Sequence, residues 1–286
     1  MFFIHHIASS IQASSIIASV AQETIAAIDR LFPEKLGQGS GEDYDDQAPR
    51  VERNWQIVPA RESGYIQSVD NAALMRLARE RKTIVLMEHA IGEFVIQNTA
   101  LASLALEYPP DQETIAALQA TFSINRHRTV EQDAAFGIRQ IVDVALKALS
   151  PGVNDNTTAV MCVDYLTAIL ARIASRKIPS SHRYEKGELR VIAKGPNFES
   201  LLAESFDQIR NSAKGDVAIL SRMLNAFQIL AGLATSPQRR LALREQVQWI
   251  AELAERTLES PHDRARIDAQ LAHVFKTLEA EPGHCQ

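Results

Sequence analysis

The stretch Arg126-His-Arg-Thr-Val-Glu-Gln-Asp-Ala-Ala-Phe-Gly-Ile-Arg-Gln-Ile-Val-Asp-Val-Ala-Leu-Lys-Ala-Leu-Ser-Pro-Gly-Val-Asn-Asp-Asn-Thr-Thr-Ala-Val-Met-Cys-Val-Asp-Tyr-Leu166 reads as a helix, a sharp polar corner and a second helix. Apolar residues recur at helical spacing on both sides of Ser150-Pro151-Gly152, which stops the first helix. Asn154 or Asp155 then caps the second. Both helices are apolar over most of their surface, so they belong at the centre of the fold. The corner and its lead-in nevertheless carry Arg126, Arg128, Asp133, Arg139, Asp143, Asn154, Asp155, Thr157 and Thr158. These nine are the candidate ligand-binding residues.

Each has a structural and a chemical reading. A helix amino end offers unpaired N–H groups and partial positive charge, and Thr157 and Thr158 add hydroxyls; together they suit a phosphate or carboxylate. Asn154 and Asp155 could instead ligate a hard cation, or form a tight turn and cap. Asp143 lies between valines in an apolar helix and needs a partner. That partner is Arg139 or Lys147 one turn away, or Arg126 or Arg128 from the lead-in. The cluster Arg126-His127-Arg128 either receives an anion or neutralises Asp133, Asp143 and Asp155.

Outward from this centre, the amino end places Ile4, Ile7, Ile11, Ser14, Ala18, Ala21, Ile25 and Ile28 on a seam of alternating three- and four-residue steps. It is either an amphipathic helix lying on its own domain or a self-associating one, making a homo-oligomer through residues 4–28. Gly37 to Arg50 reads as an acidic flexible linker. From Trp55 the texture changes to short strands: 56–60, 64–69, 83–88, 93–96 and 101–106, with a helix over 71–82. A helix follows Asp111, and a further strand spans 121–128. A hairpin turns about Lys186-Gly187, and helices start after Asn197, Asp216, Ser236 and Ser260.

The fold class is therefore α+β. An N-terminal helix (1–32) and linker (33–54) precede a small half-barrel-like β-rich region (55–128). A mainly helical region (129–280) holds the central hairpin, a β-hairpin near 182–193 and an antiparallel C-terminal layer. The pattern Gly64-Tyr65-Ile66 with Gly92-Glu93-Phe94-Val95 resembles biotinyl and lipoyl domains over about forty residues, which implies their shape. Their modified lysine has no counterpart, since Lys82 falls at a helix end.

Composition limits the function. The chain has 286 residues, 46% of them apolar, and a net charge of −5, which argues against a nucleic-acid partner. Two cysteines, Cys162 and Cys285, supply neither a disulfide framework nor a thiolate metal site, and fit a reducing cytoplasm. No phosphate-binding glycine loop, nucleophile elbow or helical histidine pair occurs. No cofactor is indicated, and whether the acidic corner holds a metal stays open.

One resemblance covers nearly the whole chain. Arg128-Thr129, Gln132-Asp133, Phe136-Gly137-Ile138-Arg139-Gln140-Ile141-Val142-Asp143 and Ser150-Pro151-Gly152-Val153-Asn154-Asp155, with Phe3-Ile4-His5-His6, Gly64-to-Asp70 and Gly92-Glu93-Phe94-Val95, resemble an uncharacterised bacterial family of predicted membrane proteins. In that family about four spanning helices precede the corresponding region. The resemblance implies a water-soluble remainder, cytoplasmic or at the inner face of the membrane, whose partner is a membrane bundle absent from this chain. The expectation is a non-catalytic assembly or sensing domain. A metal-assisted hydrolase or transferase, and a small-anion module at the Asn154-Asp155 corner, are the alternatives.

Overall fold

The computed structural model describes residues 2–32 and 54–280, with side chains from residue 12 onward. The Gly37–Arg50 linker, the tail after 280, and the side chains of Ile4, Ile7 and Ile11 lie outside the described residues. The protein is α+β, with two small sheets and, among the described residues, nine helices. It divides into two compact units.

The β-bearing unit comprises described residues 54–136 and 179–196. Strands β1 (Trp55–Pro59), β2 (Gly64–Val69), β3 (Val85–Met87), β4 (Phe94–Val95), β5 (Ala100–Ala105), β6 (Phe122–Asn125), β7 (His182–Glu185) and β8 (Glu188–Ile192) form two sheets. Their orders are β1-β5-β3-β8-β7 and β4-β2-β6. All pairings are antiparallel except β3 with β8. Helix α2 (Asn71–Glu80) starts where the Asp70 carboxylate accepts from Ala73 N, and α3 (Gln112–Ala120) where that of Asp111 accepts from Thr114 N. Val58, Ile66, Leu74, Val85, Leu101, Leu104 and Leu118 fill the core. Burying one such side chain contributes about 1.5–3 kcal/mol.

Strand limits tighten relative to the sequence pattern. The segment 83–88 is a strand only over 85–87, and Thr83 Oγ1 bonds across to Ala105 O just before it. The strand after α3 ends at Asn125, not Arg128. Helix α2 stops at Glu80, and Lys82 turns the chain at φ 48°.

The helical unit comprises described residues 2–32, 137–178 and 197–280. Its members are α1 (Phe2–Leu31), most of α4 (Ala134–Ala148), α5 (Asn156–Ala174), α6 (Phe198–Ser212), α7 (Val217–Leu233), α8 (Pro237–Thr257) and α9 (Pro261–Glu279). Asp155, Asn197, Asp216 and Ser260 cap α5, α6, α7 and α9 through their side chains. Helix α5 packs against α1, α6 and α7, and α7 also packs against α8 and α9. Phe206 and Phe227 meet edge to face at 4.9 Å inside this bundle.

Helix α1 belongs to the bundle rather than lying outside it. Ile17, Ala21, Thr24, Ala27 and Ile28 are buried, and α1 packs against α5, with Thr24 turned to α4. Of the heptad seam, Ala21 and Ile28 are on this inward side; Ile16, which is not a seam position, is 54% exposed. A Cβ on Gly137 of α4 would lie 1.9 Å from Thr24 Oγ1. Glycine inside a helix costs up to about 1 kcal/mol against alanine; here it lets α1 approach. The carboxylate of Asp29 then receives Nε and Nη2 of Arg172 at 2.6 and 2.8 Å, and Arg176 Nη2 at 2.7 Å. Arg176 Nη1 also donates to Phe32 O.

Candidate functional site

The family-like motifs of the β-bearing unit, far apart in sequence, meet at one place. Strand β2 has a bulge between Ile66 and Ser68 in its pairing with β6. A bulge re-aims the side chain it carries. Gln67 there donates to His127 O at 2.6 Å and accepts from Asn125 Nδ2 at 2.9 Å. Val69 N donates to the Gln132 side chain at 3.1 Å, and Gly92 N donates to Ile66 O at 2.8 Å. The lead-in to α4 is thus tied to β2 on two sides.

At the centre of this knot lies Asp133, only 5% exposed. Arg128 Nε and Nη2 reach its Oδ2 at 2.9 and 2.8 Å. Its Oδ1 accepts from Phe136 N at 3.1 Å, in the first turn of α4. The Arg128 guanidinium also lies 4.9 Å from the centroid of the Phe136 ring. Burial pushes the Asp133 carboxyl above the usual carboxylate range, with the adjoining Arg128 charge working against it. Gly92, at φ 89°, lies so close that a Cβ would be 2.1 Å from Asp133 Oδ2 and 2.8 Å from Arg128 Nη2.

The corner before α5 is made by backbone geometry. Asn154 has φ 49°, a left-handed conformation that asparagine tolerates, and its N–H donates to Ser150 O. Asp155 Oδ1 accepts from Thr158 N at 3.0 Å and Oδ2 from Thr158 Oγ1 at 2.7 Å. Asn156 Nδ2 donates to Asp216 Oδ2 at 2.7 Å, joining the amino ends of α5 and α7. Thr157 and Asn154 are exposed.

The nine candidate residues therefore fall into separate sets. Arg128 and Asp133 form one pair; Arg126 is exposed nearby. Arg139 pairs with Asp143 at 2.7 Å within α4 and lies 3.6 Å from Glu204 of α6. The Asp143 side chain is 56% exposed, so it is not the buried carboxylate that its valine neighbours suggested. Asn154, Asp155, Thr157 and Thr158 form the corner. The amino end of α5, read as a place for an anion, is filled by the Asp155 carboxylate. Among the described residues no three His, Cys, Asp or Glu gather as a metal site. Cys162 is buried, and its thiol is pushed up to about 12 by burial, the nearby Asp155 charge adding to it.

Three features escaped the sequence reading. The Asp29 clasp had a signal in Arg172 and Arg176, two cations one turn apart at the end of an apolar helix. Gly137 had one as a glycine inside a helix. Arg239, 1% exposed, had none beyond its charge; Nη1 and Nη2 donate to Ile173 O, Ala174 O and Arg176 O at the end of α5.

These motifs agree with a family model. Residues 1–228 match the family described as "Predicted membrane protein (DUF2254)", and the chain belongs to that family. Uncharacterized protein Rv1290c of Mycobacterium tuberculosis is 29% identical over 294 residues, covering 99% of this chain and 54% of that protein. Uncharacterized protein Mb1321c of Mycobacterium bovis is similar to the same extent. The chain spans about half the length of the curated relatives it matches. No solved structure matches it. Among the described residues one helix, α5, is long and apolar enough to cross a membrane, and 56% of its apolar window is buried in the protein.

Proposed function

We propose that this chain is a non-catalytic, water-facing module of a membrane protein, lying at the inner face of the cytoplasmic membrane and assembling through α1. The observation that carries this reading is how the motif residues are used. Arg128, Asp133, Asp155 and Thr158 hold strand and helix ends in place. Helix α1 is fixed to the helical unit by Thr24 on Gly137 and by the Asp29 clasp. A displacement of α1 would therefore be felt by α4 and α5, which suits a part that relays a signal. Ile16, exposed on the outward side of α1, is the position offered to a second copy. The metal-assisted and corner-anion alternatives have no comparable support, since Asp133, Asp143 and Asp155 are engaged by Arg128, Arg139 and Thr158. Sedimentation velocity tests assembly. The purified chain should sediment as a dimer or larger species and Ile16→Lys should shift it toward monomer; a strict monomer in both cases ends the assembly reading.

A further inference from the structure

The strongest unassigned feature is a groove in the helical unit, between α7 and α9 and touching α5 at Val160. It encloses about 560 Å³, within the size range of small-molecule sites. Ser221, 8% exposed, lines it, and its Oγ has no hydrogen-bond partner. Gln228 and Gln270, also in the lining, each carry a buried Oε1 with no partner. Leaving a buried polar atom unpaired costs about 1–3 kcal/mol, and three in one groove point to something that satisfies them. The charged and ionisable lining is Arg222, Arg266 and His273, with no carboxylate among the lining residues. Arg222 is held by Asp164 of α5, whereas Arg266 makes no hydrogen bond or ion pair to any described residue.

We infer that this groove binds a phosphate ester bearing hydroxyl groups, either free in solution or as the headgroup of an anionic lipid. The guanidinium of Arg266, with Arg222 and His273, meets the phosphate. The Gln228 and Gln270 side chains turn to bring their oxygens, which solvent does not reach here, to the ligand hydroxyls, Gln228 giving up its bond to Thr277 Oγ1, and the Ser221 hydroxyl completes the set. This reading is independent of assembly through α1.

The test titrates the purified chain with sn-glycerol 3-phosphate by calorimetry, and separately measures cosedimentation with phosphatidylglycerol and phosphatidylcholine vesicles. Arg266 is exposed and Ser221 Oγ is unpartnered, so Arg266→Gln and Ser221→Ala keep the unfolding midpoint, which is measured alongside. Arg256→Gln, an exposed arginine outside the groove, is the charge control. The expected result is saturable binding weakened about tenfold or more by Arg266→Gln, and weakened several-fold by Ser221→Ala, with Arg256→Gln unchanged. Binding of glycerol 3-phosphate alone assigns a free ester. Selective binding of phosphatidylglycerol vesicles, lost in Arg266→Gln, assigns a lipid headgroup. The inference is overturned if neither probe binds, or if Arg266→Gln weakens binding no more than Arg256→Gln does.

Discussion

Asp133 shows how one residue can look catalytic and be structural. A buried carboxylate beside an arginine and a glycine turn is what an active site often contains. Here every bond it makes is accounted for by Arg128 and the first turn of α4. Gly92→Ala should destabilise the protein by about 3 kcal/mol, through both its left-handed φ and the clash with Asp133; urea unfolding measures it, and a near-neutral result would contradict the packing. Asp29 behaves in the opposite electrostatic sense to Asp133. The bonds from Arg172 and the charge of Arg176 hold its carboxyl below the ordinary 3.8, burial only partly opposing them. A lowered native value means stability present above the unfolded value and lost as pH falls through the native one. The difference in melting temperature between the wild type and Asp29→Asn should therefore be a few degrees at neutral pH and shrink below pH 3.8. An undiminished gap in acid would show that Asp29 acts by shape and not by charge.

At the scale of elements, legibility followed the range of the interaction that fixes each one. Caps are local, so Asp111, Asn197, Asp216 and Ser260 announced their helices, and of the two candidates before α5 it is Asp155 whose side chain caps it. The Arg128–Asp133 pair was one of several pairings that the sequence left open. Gly92 against Asp133 was not legible, because only the folded β2–β4–β6 sheet brings them together. The valines flanking Asp143 misled because a helix turns about 100° per residue, so sequence neighbours of a surface residue can be buried. Helix α1 was read as a helix correctly, yet its inward face depended on Gly137, a partner over a hundred positions away. That contact gives a reciprocal prediction. Gly137→Ala should destabilise the bundle despite alanine's better helix propensity, and Thr24→Ala in the same chain should recover part of the loss. Purely additive unfolding energies in that double-mutant cycle would mean that the two helices do not meet there.

The molecule as a whole is interleaved. The chain begins in the helical unit, passes through the β-bearing unit, returns for 137–178, revisits the sheet for 179–196 and finishes in the helices. Strand β3 finds its parallel neighbour only in β8, after the central helical hairpin. This ordering bears on biosynthesis. On the ribosome, β3 must wait about a hundred positions for β8, and α1 waits longer still for α5. The β-bearing unit cannot close before residue 192 has emerged, and the helical unit cannot close until α6 to α9 have followed it. A single cut after residue 136 would yield two fragments that each lack part of both cores.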